Sequence, residues 1–177
     1  MTFAKDFKTK LRRLLTGFLC LLLLGLLLDR LVFGHISFHS VLRFGLGSLL
    51  IFIGMALPAM SGRQLTIYGR SNRDELPRGT TDELVTQGIY AHLRHPAFQG
   101  FLALTFGIGF LINSPGFVFV AAPLADAYVF YFALKKEEEE GFLKFGCDYE
   151  SYRLHTPAFL PRFLFRWTMK EKFHCPQ

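Results

Sequence analysis

The sequence predicts an all-α, polytopic membrane protein, and three features of its composition and patterning lead there. Of 177 residues 51% are apolar and 19% charged, too apolar a balance for an ordinary soluble domain, and one that excludes a disordered or fibrous chain. The apolar residues fall in four blocks instead of at core-like spacing. The cations fall between the blocks. Lys5, Lys8, Lys10, Arg12 and Arg13 precede the first, and Arg63, Arg70, Arg73, Arg78 and Arg94 separate the second from the third. The rest follow the fourth, and only Arg30 and Arg43 lie on the other side. This alternation is the positive-inside pattern of about four spans with both termini cytoplasmic. The net charge of +6 is thereby explained without nucleic acid. Three isolated cysteines, Cys20, Cys147 and Cys175, suggest neither a disulfide framework nor a thiolate metal site.

A helix crossing the hydrocarbon needs about 20 mostly apolar residues, because only a helix or a closed barrel satisfies its own backbone polar groups there. The expected spans are 14–33, 41–60, 97–113 and 115–134, within a single membrane domain covering 1–177. The first has a basic leader like a signal peptide's. No small-residue cleavage site follows, however, and the apolar stretch runs on past Asp29-Arg30, so an uncleaved helix is expected. Asn113-Ser114-Pro115-Gly116 reads as a tight turn joining the last two spans into a hairpin. Residues 61–95, with Gly69, Pro77, Gly79 and Gly88, read as a long connector of little regular structure, a length usually tied to function or disorder. After Leu134 the run Lys135-Lys136-Glu137-Glu138-Glu139-Glu140 favours helix and contains no breaker, so the fourth span should continue beyond the membrane.

Three features depart from a generic membrane bundle. They are Gly88-Ile89-Tyr90 with Arg94-His95-Pro96, the acidic run, and Phe145-Gly146 with Tyr149 and Tyr152. Taken singly, each has a structural reading. Pro96 starts a helix, Arg94 snorkels to lipid phosphate and His95 caps or packs. The acidic run is a solvated helix face, and the two tyrosines are an interfacial belt. Against this, four adjacent carboxylates repel one another unless a cation sits nearby. Asp126, ionisable within the fourth span, reads either as an interhelical hydrogen bond or as a substrate contact. Asp29, Arg30 and Arg43 read as snorkelling residues at the opposite ends of the spans.

Taken together and in order, these stretches are recognisable. Leu84-Val85-Thr86-Gln87-Gly88-Ile89-Tyr90, then Arg94-His95-Pro96-Ala97-Phe98-Gln99-Gly100, Glu137-Glu138, Phe145 to Tyr152, and Thr156-Pro157 with Leu160-Pro161 resemble the isoprenylcysteine carboxyl methyltransferase family and its phospholipid-methylating relatives. The resemblance covers 84–161, which becomes the expected catalytic half. It implies an integral-membrane enzyme that uses S-adenosyl-L-methionine, without a metal, on a lipophilic acceptor drawn from the bilayer. It also implies that the cofactor is held by Leu84, Val85, Tyr90, His95, Pro96, Ala97, Phe98 and Glu137, under the C-terminal segment. Arg94, Glu137 and Glu138 are the expected catalytic residues. In this expectation Arg94 either holds a substrate carboxylate or braces Glu137, and Glu138 or His95 accepts a proton if the nucleophile is an amine.

The chain departs from the pattern in three places. Phe98 stands where the family commonly has Tyr, Asp82-Glu83 where the carboxyl methyltransferases often have His-Thr, and Ala133 where they tend to have Arg. The last weakens a prenylcysteine carboxylate as the acceptor. Two other classes remain open at this point. One is a membrane-embedded reductase of the steroid-reductase type, although no Gly-rich dinucleotide fingerprint is present. The other is a non-enzymatic membrane hairpin or assembly protein.

Overall fold

A computed structural model describes residues 16–34, 36–70 and 81–158, and among them there is no strand. Four helices carry the fold: α1 (Thr16–Phe33), α2 (Val41–Tyr68), α3 (Pro96–Leu111) and α4 (Phe117–His155). The protein is an all-helical, integral-membrane chain, in which α1, α2 and α4 are long and apolar enough to cross a bilayer. The third expected span, 97–113, lies within two residues of the observed helix at either end. Its helix starts at Pro96 and has 16 residues, or about 24 Å of rise, against a hydrocarbon core of about 30 Å. Pro96 fixes its start, and Asn113, at φ 58°, turns the chain soon after its end.

The chain divides into two compact units, Met1–Phe52 with Leu102–Val129 and Ile53–Phe101 with Phe130–Gln177. In the first unit α1 packs on the start of α4 at a point that requires glycine. A Cβ on Gly25 would come within 2.7 Å of Phe117, so the close approach depends on its absence. Beside it Phe117, Ala121 and Ala122 form a buried cluster under Phe18, Leu21, Leu22 and Phe106.

The polar residues of this unit tie helix ends. Asp29 accepts hydrogen bonds from the Ser114 hydroxyl and from Gly116 N at 2.6 Å, and the Ser114 oxygen in turn accepts one from Phe117 N. Arg43 Nε donates to Leu111 O at 3.1 Å, satisfying a carbonyl at the end of α3 that has no partner within its helix. Phe38 N donates to Asn113 Oδ1 at 2.8 Å. Asp29 and Arg43 therefore do not snorkel, because orphan backbone groups at neighbouring helix ends offer them partners. Asp126 meets α3 as one of its two readings anticipated, with the Thr105 hydroxyl 3.0 and 3.2 Å from its carboxyl oxygens.

In the second unit α2 runs to Tyr68, two turns past its expected end at Met60. Ser61 and Gly62 are weak helix formers, but Arg63, Gln64 and Leu65 are not, and tertiary partners hold the extension. Ser61 Oγ lies 2.6 Å from the Tyr90 hydroxyl, and Ile89 N donates to Gln64 Oε1 at 2.9 Å. Gly69 O then accepts from Asp82 N and Glu83 N, which sets the next described segment back against the end of α2.

α4 continues past Leu134 as expected and bends at Gly146, whose φ of 54° and ψ of −127° suit a residue without a Cβ. The bend returns Tyr149 onto Gly141, where a Cβ would stand 2.7 Å from the ring. It also brings the Tyr152 hydroxyl to Tyr90 O, to which it donates at 2.7 Å. Cys147, next to the bend, is disulfide-bonded. This corrects the expectation from cysteine spacing, since a bridge depends on distance in space. Leu160 and Pro161, at the end of the expected catalytic half, also lie outside the described residues.

Candidate functional site

The second unit contains a cleft of about 430 Å³, within the roughly 300–1,000 Å³ of small-molecule sites. Three segments build it. Leu84, Val85 and Tyr90 come from the connector, and Arg94, His95, Pro96, Ala97 and Phe98 from the start of α3. Glu137, Glu140, Gly141, Lys144 and Phe145 come from α4. This last set recurs at three and four residues, the spacing of one helix face. Tyr149 and Tyr152, beyond the bend, close a further side.

Every expected cofactor-binding or catalytic residue lines this cleft except Glu138. The reason is helical geometry, because consecutive residues on α4 point about 100° apart. Glu137 faces the cleft with its Oε2 3.1 Å from His95 Nδ1, and its side chain is 55% exposed. Glu138 turns aside to Arg94, with Oε1 2.5 Å from Nη1, and His95 Nε2 lies 3.6 Å from the same oxygen. It lines a separate recess with Phe142, Leu143 and Arg153. Arg94 thus braces Glu138 and not Glu137, which corrects one of the expected roles. The pair is largely withdrawn from water, at 11% and 24% side-chain exposure. Phe98 stands with its ring 5.9 Å from that of His95 in an edge-on arrangement.

The tyrosines are buried and hydrogen-bonded, which sets aside the interfacial-belt reading. Burial pushes the Tyr90 hydroxyl up from its usual value; the Ser61 hydrogen bond opposes the shift and the Glu137 charge adds to it. Tyr149 is raised first by burial and next by Glu138, with the Arg94 guanidinium opposing. Tyr152 is raised by burial above all, again with Arg94 opposing. All three remain neutral hydrogen-bonding phenols at physiological pH. The bend is further tied down by Arg94 N, which donates to Pro157 O at 3.0 Å.

Ser61 and Lys144 line the cleft without having been singled out in the sequence. Ser61 was hidden because it seemed to lie just past a span. Lys144 had a visible signal, since it stands seven residues after Glu137 and so shares its helix face.

Fold and site together define an all-helical membrane protein whose acid-lined cleft is built from a loop and two helix segments. Residues 42–145 match the phospholipid methyltransferase family, and the chain belongs to that family. Among curated proteins it is 33% identical over 98 residues to the protein-S-isoprenylcysteine O-methyltransferase of Schizosaccharomyces pombe, covering 54% of this chain and 37% of that one. It is 31% identical over 105 residues to protein-S-isoprenylcysteine O-methyltransferase B of Arabidopsis thaliana, covering 57% of this chain and 48% of that one. These relatives bear out the resemblance read from the motifs. The chain spans less than half the length of the curated relatives it matches.

Proposed function

We propose that this protein is a membrane methyltransferase that moves the methyl group of S-adenosyl-L-methionine to a lipophilic acceptor embedded in the bilayer. The acceptor is either an isoprenylcysteine-like carboxylate, which is O-methylated, or a phospholipid-like amine, which is N-methylated. The observation that carries the reading is the charge of the cleft. Glu83, Glu137 and Glu140 line it, against the cations Arg94, which Glu138 engages, and Lys144. Such a donor set fits a ligand bearing a sulfonium and an ammonium. When bound, the cofactor supplies an electrophilic methyl group.

The chain's own part is binding, orientation and exclusion of water. Glu137, oriented by His95, offers its exposed oxygen to positive charge, and the Tyr90 and Phe98 rings offer aromatic faces to the same cation. Leu84, Val85, Pro96 and Ala97 supply apolar wall. The Arg94–Glu138 pair holds the mouth of α3 against α4, and Glu138 or His95 is the proposed acceptor of the proton released when the nucleophile is an amine. In this reading 1–177 works as one membrane domain with its catalytic half in 84–161. In the same reading both termini, and the cleft with them, lie on the cytoplasmic side, which the cation distribution supports.

Calorimetric titration of the detergent-purified chain with S-adenosylmethionine and its demethylated product tests the proposal. Binding by the wild type is expected, with loss in Glu137→Ala and His95→Ala. A folded wild type that binds neither ligand overturns it.

A further inference from the structure

The geometry points to Glu140 and Lys144 as a receptor for an α-amino-acid zwitterion within the cleft, an inference that rests on the cofactor reading above. Both line the cleft on the face of α4 that carries Glu137. They are four residues apart, one helical turn, so a negative and a positive charge stand side by side along the wall. An acid followed four residues later by a lysine commonly closes into an ion pair. Here it does not. Glu140 instead lies 3.8 Å from Lys136 on the preceding turn, with both side chains mostly exposed. Such a contact exchanges at little cost.

Lys144 has no hydrogen bond or ion pair among the described residues, and its Nζ rests 5.4 Å from the centre of the Phe145 ring. The other basic side chains on the wall are committed, Arg94 to Glu138 and His95 to Glu137. Lys144 is therefore the lining side chain left to receive an anionic group. An amino acid carries ammonium and carboxylate on one carbon, so opposite charges one helical turn apart can flank it, one on each side. Glu140 takes the ammonium and Lys144 the carboxylate. Glu137, a turn further along, is left facing the sulfonium. Lys144 is in this sense a specificity residue, one that distinguishes a ligand with a carboxylate from one without.

Calorimetry on the full chain in detergent, with S-adenosylmethionine and its decarboxylated analogue as probes, tests the assignment. The wild type is expected to bind the intact cofactor about tenfold more tightly, the worth of one charge-assisted hydrogen bond. Lys144→Met should lose that preference by weakening only the intact cofactor, and Lys144→Arg should retain it. The unchanged analogue affinity doubles as a control for folding. Glu140→Gln should weaken both ligands by the same factor, because both keep the ammonium. A Lys144→Met protein that still prefers the carboxylate, or that weakens both probes alike, overturns the inference while the methyltransferase reading stands. A wild type that binds neither probe overturns both.

Discussion

The two units of the chain use polar side chains in opposite ways. In the unit formed by Met1–Phe52 and Leu102–Val129, polar groups close on one another or on helix ends: Asp29 on Ser114 and Gly116, Arg43 on Leu111, Thr105 on Asp126. Each pairing satisfies a donor or acceptor that would be costly to leave open in an apolar setting. In the unit formed by Ile53–Phe101 and Phe130–Gln177 the closure is partial. Glu137 is bonded to His95 yet 55% exposed, and Lys144 lines the cleft without a polar partner among the described residues. Polar residues that hold a membrane fold are consumed by it. Those that serve a ligand keep capacity in reserve.

The sharpest way to break this contrast is to exchange one acid in each unit. Glu137→Gln removes the charge and keeps the shape, and S-adenosylmethionine affinity is expected to fall by about a hundredfold, within the range for losing a charged partner. The unfolding temperature should barely move. Asp29→Ala should do the reverse, destabilising by about 1–2 kcal/mol through loss of a cap at the start of α4 with affinity unchanged. Calorimetry and thermal unfolding in detergent read both. Equal effects of the two variants on affinity would erase the distinction between the units.

Arg94 sharpens the comparison from within the second unit, because its closure on Glu138 resembles that of a structural residue. Arg94→Ala leaves Glu138 partly buried and unpaired, and is expected to cost about 2–3 kcal/mol, somewhat less than a fully buried pair. Arg94→Ala with Glu138→Ala should recover part of that loss, with a coupling of about 1 kcal/mol or more in a double-mutant cycle. Arg94→Lys keeps the charge without the planar fork and should fall between them. Denaturant or thermal unfolding of the wild type, Arg94→Ala, Glu138→Ala, the double variant and Arg94→Lys checks the series.

The helices were legible in the sequence because apolar blocks and their lengths report directly on the bilayer. α2 shows where that reading stops. Ser61 and Gln64 hold α2 beyond Met60 through partners 29 and 25 residues away in the chain, and such contacts are invisible to a local pattern. The site was legible as a set of motifs, and all but one of the expected cofactor-binding and catalytic residues share one cleft. Their pairing was not legible. That Arg94 meets Glu138 and His95 meets Glu137 follows from helical phase across a contact between distant segments, which residue types alone do not specify.

The smallest expected effect concerns the tyrosines that close the cleft and depends on pH. Tyr90, Tyr149 and Tyr152 all have their hydroxyls raised by burial. A group whose folded pKa lies above its unfolded value holds its proton more tightly in the fold, so its contribution is fully present below the unfolded value. That contribution is lost as pH rises through the folded one. The unfolded chain begins to release these protons near pH ~10, so stability should fall from there upward and stay flat on this account at neutral pH. Tyr152→Phe removes the bond to Tyr90 O at a cost of about 1 kcal/mol at pH 7. It also removes one of the three titrations, so its alkaline decline should be shallower than that of the wild type. Unfolding followed from pH 7 to about 11, together with tyrosinate absorbance, reads both quantities. A wild type and variant with parallel declines would mean that Tyr152 ionises as freely in the fold as out of it, and that the segment beyond Gly146 is not closed over Tyr90 in solution.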